Sequence, residues 1–360
     1  MTHPLALPAR IAEFIERCAD GSRDDATRDA LLDELLAWQA TNVSAYGHFL
    51  SNERRRPHSF SLPALPTDAF RFARVASHAP QQSVRVFRTS GTTGTARGQH
   101  SFADLSLYDR AAGAAARYAL FPDRPRLRLI ILAPDETELP DSSLSYMLAR
   151  FKPWFGTERS CYVWRRGQLQ SNRLIAELMD AEASREPLAL LGTSFAFVHA
   201  EDALRSQFEL PAGSRIMQTG GFKGRSRSIE PDAMLAMLKA RYGVPESNIV
   251  QEYGMTELSS QCYETTLRAS VLEQNTITPR RLWVPGWVRV RTIDPDTLGA
   301  LPNGQVGLLR IDDLANVGSV CAIQTSDLAR IDSHGLTVLG RAPDSVARGC
   351  SIAVDAWLGG

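Results

Sequence analysis

Val84-Arg85-Val86-Phe87-Arg88-Thr89-Ser90-Gly91-Thr92-Thr93-Gly94-Thr95 decides the fold: a short apolar run passes into five hydroxyls and two glycines within seven residues, Thr89 to Thr95. Val84 to Phe87 reads as a buried strand. Glycines let the backbone take positive φ and bring its N–H groups close to a ligand. Successive N–H groups form an anion-binding concavity, and hydroxyls add donors for phosphate oxygens. No Gly-Lys-Ser/Thr closes the run, so it is not a Walker A loop. Taken alone, the segment is either a phosphate cradle or a flexible Ser/Thr/Gly turn.

Outward from this loop, short apolar runs alternate with helical periodicity. Leu127 to Leu132, Leu188 to Leu191, Arg215 to Gln218 and Ile249 to Gln251 read as buried strands. Helical patterns lie near 104–120, 142–152, 170–184, 196–207 and 230–242. Ser228 is positioned to cap the last of these, with Pro231 in its first turn and Gly243 where its pattern stops. Repeated strand-then-helix order predicts an α/β fold with a largely parallel sheet. Upstream, Ile11, Phe14 and Ile15, then Leu31, Leu32, Leu35, Leu36 and Trp38, recur at helical spacing. Downstream, Trp283 to Ile293, Val306 to Ile311, Val320 to Ile323 and Leu336 to Leu339 read as short strands between turn signals, an antiparallel subdomain. The expected organisation is a helical segment packed on the core at 1–80, an α/β core at 81–280, an antiparallel β subdomain at 281–340 and a short tail at 341–360.

Composition sets broad limits. The chain has 360 residues, 44 % hydrophobic and 22 % charged, with 40 basic and 40 acidic side chains. A formal charge of zero argues against a general nucleic-acid or membrane-surface binder. No apolar run approaches the roughly 20 residues a membrane span needs. Met1 to Arg10 lacks the pattern of a signal peptide. Cys18, Cys161, Cys262, Cys321 and Cys350 are scattered and form no C-x-x-C pair, which fits reduced thiols in a cytoplasmic protein. No His/Cys/Asp cluster has zinc spacing.

Three further segments carry chemical side chains. Tyr253-Gly254-Met255-Thr256-Glu257 follows a predicted strand, where ligands collect in α/β sheets. A carboxylate there can hold Mg2+ shared with phosphates, and the ring can stack on a base. Thr325-Ser326-Asp327 and Gly340-Arg341 read as turns in the C-terminal strands. Asp accepts from ribose hydroxyls and Arg pairs with phosphate or carboxylate. Taken alone, each reads as an ordinary loop or turn.

In this order the four segments resemble the adenylate-forming superfamily, which includes acyl-CoA synthetases, phenylacetate-CoA ligases and acyl-protein synthetases. The resemblance implies the superfamily's large N-terminal domain, with parallel-rich sheets flanked by helices plus a small antiparallel subdomain. It implies ATP and Mg2+ as cofactors. Thr89, Ser90, Gly91, Thr92, Thr93, Gly94 and Thr95 would surround the β- and γ-phosphates. Tyr253, with Gly254, would lie against adenine, Thr256 at the α-phosphate and Glu257 on Mg2+. Asp327 would bind ribose, with Arg341 near it. The cation after the phosphate loop is Arg97 where many members carry Lys. Only 19 residues follow Arg341, so the superfamily's small mobile C-terminal domain is expected to be absent.

Several segments are similar to the acyl-protein synthetases of the bacterial bioluminescence fatty-acid reductase system. Leu62 to Phe70 resembles that branch's Pro-bearing approach to the sheet. Thr219-Gly220-Gly221-Phe222-Lys223-Gly224-Arg225 resembles its turn beside adenine, and Arg348-Gly349-Cys350-Ser351 its end, where a cysteine accepts the acyl group. The implied catalytic set is Cys350, Thr256, Arg341 and Lys223, the last standing in for the missing domain's lysine; Cys262 is the reserve thiol. Thr193, Ser194, Phe195 and Phe197 would line the acid pocket or equally face the core from a helix, while His199 reads as an ordinary satisfied histidine. The expected reaction forms an acyl-adenylate, loads Cys350 and passes the acyl group to a partner such as a reductase or biosynthetic enzyme. The alternatives are direct transfer to CoA or a small nucleophile, and a nucleotide-binding module without chemistry.

Overall fold

The computed structural model describes residues 6–53, 62–89, 97–220, 229–273 and 279–343. The chain forms two compact units. One comprises 1–114, 255–261 and 283–360; the other comprises 115–254 and 262–282.

The second unit is the α/β part. Its strands run side by side in the order Cys262–Glu264, Ile249–Tyr253, Arg215–Thr219, Leu188–Thr193, Arg128–Leu132, Cys161–Tyr162. All neighbours pair in parallel except the first two, which are antiparallel. Arg128–Leu132 is buried along its whole length, as a strand covered on both faces must be. The helices Ser171–Ser184, Ser194–Ala203 and Pro231–Tyr242 contribute Leu174, Leu178, Phe197, Met234 and Leu238 to one core with Ile130, Leu190 and Ile216. Pro231 starts its helix and Gly243 ends it at φ 63°. The expected Ser228 cap lies outside the described residues; the residue flanking the first turn is Glu230, which makes no side-chain cap bond.

The first unit begins with the helices Leu7–Arg17, Asp25–Asn42 and Ser44–Glu53. Ile11, Phe14, Ile15, Leu31, Leu32, Leu35 and Leu36 are buried, as their spacing predicts, but Trp38 is exposed. The strands Val288–Ile293, Gly307–Asp313, Ala322–Asp332 and Gly335–Arg341 form the expected antiparallel sheet in sequence order. Leu65–Pro66 adds a parallel strand against Ile323 and Gln324.

Three expectations need correction. The run at Val84 to Phe87 is not a strand of the parallel sheet: Arg85–Arg88 pairs antiparallel with Gln99–Phe102 in a separate two-stranded sheet, and Val84 is 66 % exposed. A short apolar run does not say which neighbour will cover it. Thr325 to Asp327 is no turn but the middle of the long strand Ala322–Asp332, and Gly340-Arg341 ends the strand paired with it. Their polar residues sit beside a register shift at Leu328/Ala329. Finally, Trp283 to Ile293 is two strands, Leu282–Trp283 and Val288–Ile293, separated by Pro285 and Gly286.

Arg215 anchors the second unit. Its guanidinium is fully buried and donates to both oxygens of Asp123 (2.7 and 3.2 Å) and to the carbonyls of Leu120 and Gly213. Removing one partner of such a pair leaves the others unpaired. Arg215→Ala is therefore expected to lower unfolding free energy by about 3 kcal/mol in urea titrations, whereas Arg159→Ala, whose side chain is 47 % exposed despite its ion pairs, should change it by less than about 1 kcal/mol.

Candidate active site

Parallel register brings one group of candidates together in the second unit. Thr193 pairs with Thr219, and Thr219 with Glu252, so the ends of three strands coincide. Beyond Thr193 the chain turns into helix Ser194–Ala203, and the Thr193 hydroxyl caps it by accepting from the Ala196 amide. The buried Ser194 Oγ lies 2.5 Å from Gln218 Oε1 and 2.8 Å from the Gly220 carbonyl. Gly220 has φ 72°, a left-handed conformation that favours glycine. Tyr253 is half-buried at the end of its strand, and Gly254 follows it. Phe195 is half-buried with its ring 4.4 Å from that of the exposed His199. Phe197 does not join them: it is buried in the core against Tyr242. The apolar pattern 195/197 spans two directions of a helix, and only one of them faces this group.

Glu252 was not singled out by sequence reasoning, yet its carboxyl is strongly perturbed. It is buried and accepts a hydrogen bond from the Thr219 hydroxyl. Burial pushes its carboxyl up to about 7, and the Thr219 bond only partly opposes this. The signal was a carboxylate inside an apolar strand beside Tyr253.

The first unit holds the other candidates. Thr89 and Gly98 close the base of the Ser/Thr/Gly loop: the Thr89 amide donates to the Gly98 carbonyl, and the Gly98 amide to Thr89 Oγ1, both at 2.9 Å. Ser90 to Thr95 lie outside the described residues. Arg97 Nε donates to the Thr89 carbonyl at 2.6 Å. Thr256 is half-buried, and its carbonyl accepts from His100 Nδ1 at 2.8 Å. Burial pushes His100 down to about 4, so its ring is neutral at physiological pH. Glu257 is 8 % exposed. Asp327 stands opposite Arg341 in the strand register, with the guanidinium Nε 3.8 Å from the carboxylate. Gly340, at φ 109°, precedes Arg341, whose side chain is 80 % exposed. A separate cavity of about 500 Å3 in this unit is lined by Ala12, His78, His100, Phe102, Tyr108 and Asn316; none of the residues expected from the sequence lines it. Gly221, Lys223 and Cys350 lie outside the described residues. Among the described residues, Cys18, Cys161, Cys262 and Cys321 are buried and form no disulfide.

The parallel sheet and the antiparallel subdomain have the fold of the adenylate-forming ligases. An open conformation of 2-hydroxyisobutyryl-CoA ligase in complex with 2-HIB-AMP and CoA has the same fold, with a TM-score of 0.62, 14 % identity, and coverage of 90 % of this chain and 76 % of that one. The chain belongs to the acyl-protein synthetase (LuxE) family, whose model matches residues 17–358. Among its relatives are the long-chain-fatty-acid–luciferin-component ligases of Aliivibrio fischeri and Vibrio harveyi. The first is 20 % identical over 347 residues, 91 % of this chain and 87 % of the relative; the second is 22 % identical over 312 residues, 81 % and 77 %. This chain is an enzyme of that family, an acyl-protein synthetase.

The raised Glu252 carboxyl has a thermodynamic consequence. The folded state keeps this proton to about pH 7, whereas the unfolded carboxyl loses it near 4.5. Stability therefore falls as pH rises from 4.5 to 7 and is flat in this respect above. Relative to Glu252→Gln, the wild type should lose on the order of 3 kcal/mol across that window in urea titrations. A pH-independent difference would contradict the buried environment.

Proposed function

We propose that this chain activates a long-chain fatty acid with ATP and Mg2+, holds the acyl group as a thioester on Cys350 and delivers it to an acceptor protein such as a reductase or a biosynthetic enzyme. The observation that carries this reading is the extent of the family match, residues 17–358, which takes in every segment from Thr89 to Cys350. The acid class follows the names of the two relatives, which join a long-chain fatty acid to a luciferin component. Among the described residues no helix is long and apolar enough to cross a membrane, and the free thiols suit the cytoplasm, where we place the protein.

Each group has a role its chemistry supports. Thr89 to Thr95 hold the β- and γ-phosphates through backbone N–H groups and hydroxyls. Gly220, Gly221, Tyr253 and Gly254 receive adenine, Asp327 the ribose hydroxyls, and Thr256 the α-phosphate. Arg341 offsets the charge of the two anions that must meet, the acid and the α-phosphate. Lys223 assists there. Thr193, Ser194 and Phe195 border the acid.

No group of three or more His, Cys, Asp or Glu among the described residues forms a metal cage. A single buried carboxylate, Glu257, fits Mg2+ shared with phosphates. Bound there, the ion would neutralise phosphate charge during adenylation.

In the second half-reaction the Cys350 thiolate attacks the acyl carbon. The bond from that carbon to the AMP oxygen breaks, AMP leaves with the electron pair, and a thioester remains. Arg348 favours the thiolate. The buried cysteines are poor rivals: burial raises the thiols of Cys18, Cys161 and Cys321.

Protein, ATP and Mg2+ are incubated with a panel of acids and hydroxylamine, and pyrophosphate and hydroxamate are measured. Long-chain acids should give both products. Intact mass should then show one acyl adduct, removed by neutral hydroxylamine and lost in Cys350→Ala. Hydroxamate with no adduct would mean direct transfer to a small acceptor; no product from any acid would refute the acid-activating reading.

A further inference from the structure

The segment Met255–Gln261 carries Thr256 and Glu257 but has no strand or helix to hold it. Buried side chains take that place. Asp313, at the end of strand Gly307–Asp313, is fully buried. Its Oδ2 accepts the amides of Ser259 and Ser260, both at 2.9 Å, and its Oδ1 accepts Ser260 Oγ at 2.7 Å and the Ala315 amide at 3.0 Å. Asn316 is 1 % exposed. Its Nδ2 donates to the carbonyls of Glu257 (2.8 Å) and Val320 (3.0 Å), while its Oδ1 accepts Ser259 Oγ at 2.6 Å. With His100 on the Thr256 carbonyl, the backbone on both sides of the Glu257 side chain is fixed by groups outside the segment.

We infer that Asp313 and Asn316 are positioning residues for the reaction: they hold the backbone of Thr256 and Glu257 so that the hydroxyl and carboxylate meet the ATP–Mg2+ complex without reorganising. The inference rests on the proposed roles of those two residues. A satisfied polar network of this kind rigidifies what it holds. If stability alone were served, these groups would be replaceable by apolar packing, because buried ionic groups add little net stability. Both N–H donors of the Asn316 amide are used, and one of them goes to the carbonyl of the residue proposed to hold the ion.

The test separates positioning from packing. Gln39 is the packing control: it is buried, bonds the Asn316 and Val317 carbonyls through Nε2 and the Cys321 amide through Oε1, and touches nothing in Met255–Gln261 through those bonds. Binding of Mn2+ to the protein–ATP complex is followed by electron paramagnetic resonance, and half-saturating Mg2+ by pyrophosphate release. Asn316→Ala and Asp313→Asn should weaken Mn2+ binding and raise half-saturating Mg2+ by about 10-fold or more. Gln39→Ala should lower the melting temperature and leave both metal readouts unchanged.

A lower melting temperature with unaltered Mn2+ binding in Asn316→Ala would overturn the inference. If that variant does not fold, Ser259→Ala, which removes only the hydroxyl bonded to Asn316, decides the matter by the same two readouts. Glu257→Gln tests the underlying reading: normal Mn2+ binding in that variant removes the metal role of Glu257, whereas a shift there with none at Asn316 removes only the positioning role.

Discussion

Parallel strand pairing is the constraint on which the second unit depends. Once Leu188–Thr193, Arg215–Thr219 and Ile249–Tyr253 run the same way and in register, Thr193, Thr219 and Glu252 must finish side by side. The residues at the three strand ends then collect at one edge: Ser194, Gly220 and Tyr253. Side chains separated by some sixty residues become neighbours because backbone hydrogen bonding leaves them no other place. The strands are buried along most of their length, so the strand ends are where polar chemistry is tolerated.

That tolerance is limited, and the buried charges mark its limits. Arg215 is inside because Asp123 and three backbone bonds answer its guanidinium. Glu252 has only the Thr219 hydroxyl, and burial pushes up its carboxyl. In the first unit Asp312 is buried between the guanidinium groups of Arg289 and Arg310, each at 2.9 Å, with Asp29 as a further partner of Arg289. The same chemistry thus gives two outcomes. Paired charges brace strands, whereas a half-answered carboxyl is left sensitive to pH at the edge where the candidate groups gather.

Much of the architecture was legible in the sequence. The strands at 128–132, 188–193, 215–219 and 249–253 each carry a short apolar run between stretches of helical periodicity, and burial leaves that trace. Asp327 and Arg341 were legible as chemistry but not as geometry. They looked like turns because Thr, Ser, Asp and Gly prefer turns, yet pairing across the sheet and the bulge at Leu328/Ala329 make them strand residues facing each other. Val84 to Phe87 failed for the opposite reason: its composition suits a strand anywhere, and nothing in the run itself names its partner, Gln99–Phe102. Phe197 went to the core because a helix divides its residues between faces that no pair of neighbours specifies.

By itself, the sequence determined the α/β class, the order of the chemical segments and the family they resemble, because hydrophobic period and local motif are properties of neighbouring residues. Only the tertiary structure decided which groups share an environment. Glu252 is raised because the folded chain buries it away from water, and the Thr256–Glu257 backbone is fixed because Asp313 and Asn316 arrive from another part of the chain. Burial and hydrogen-bond partnership depend on contacts far apart in sequence, and no local pattern encodes them.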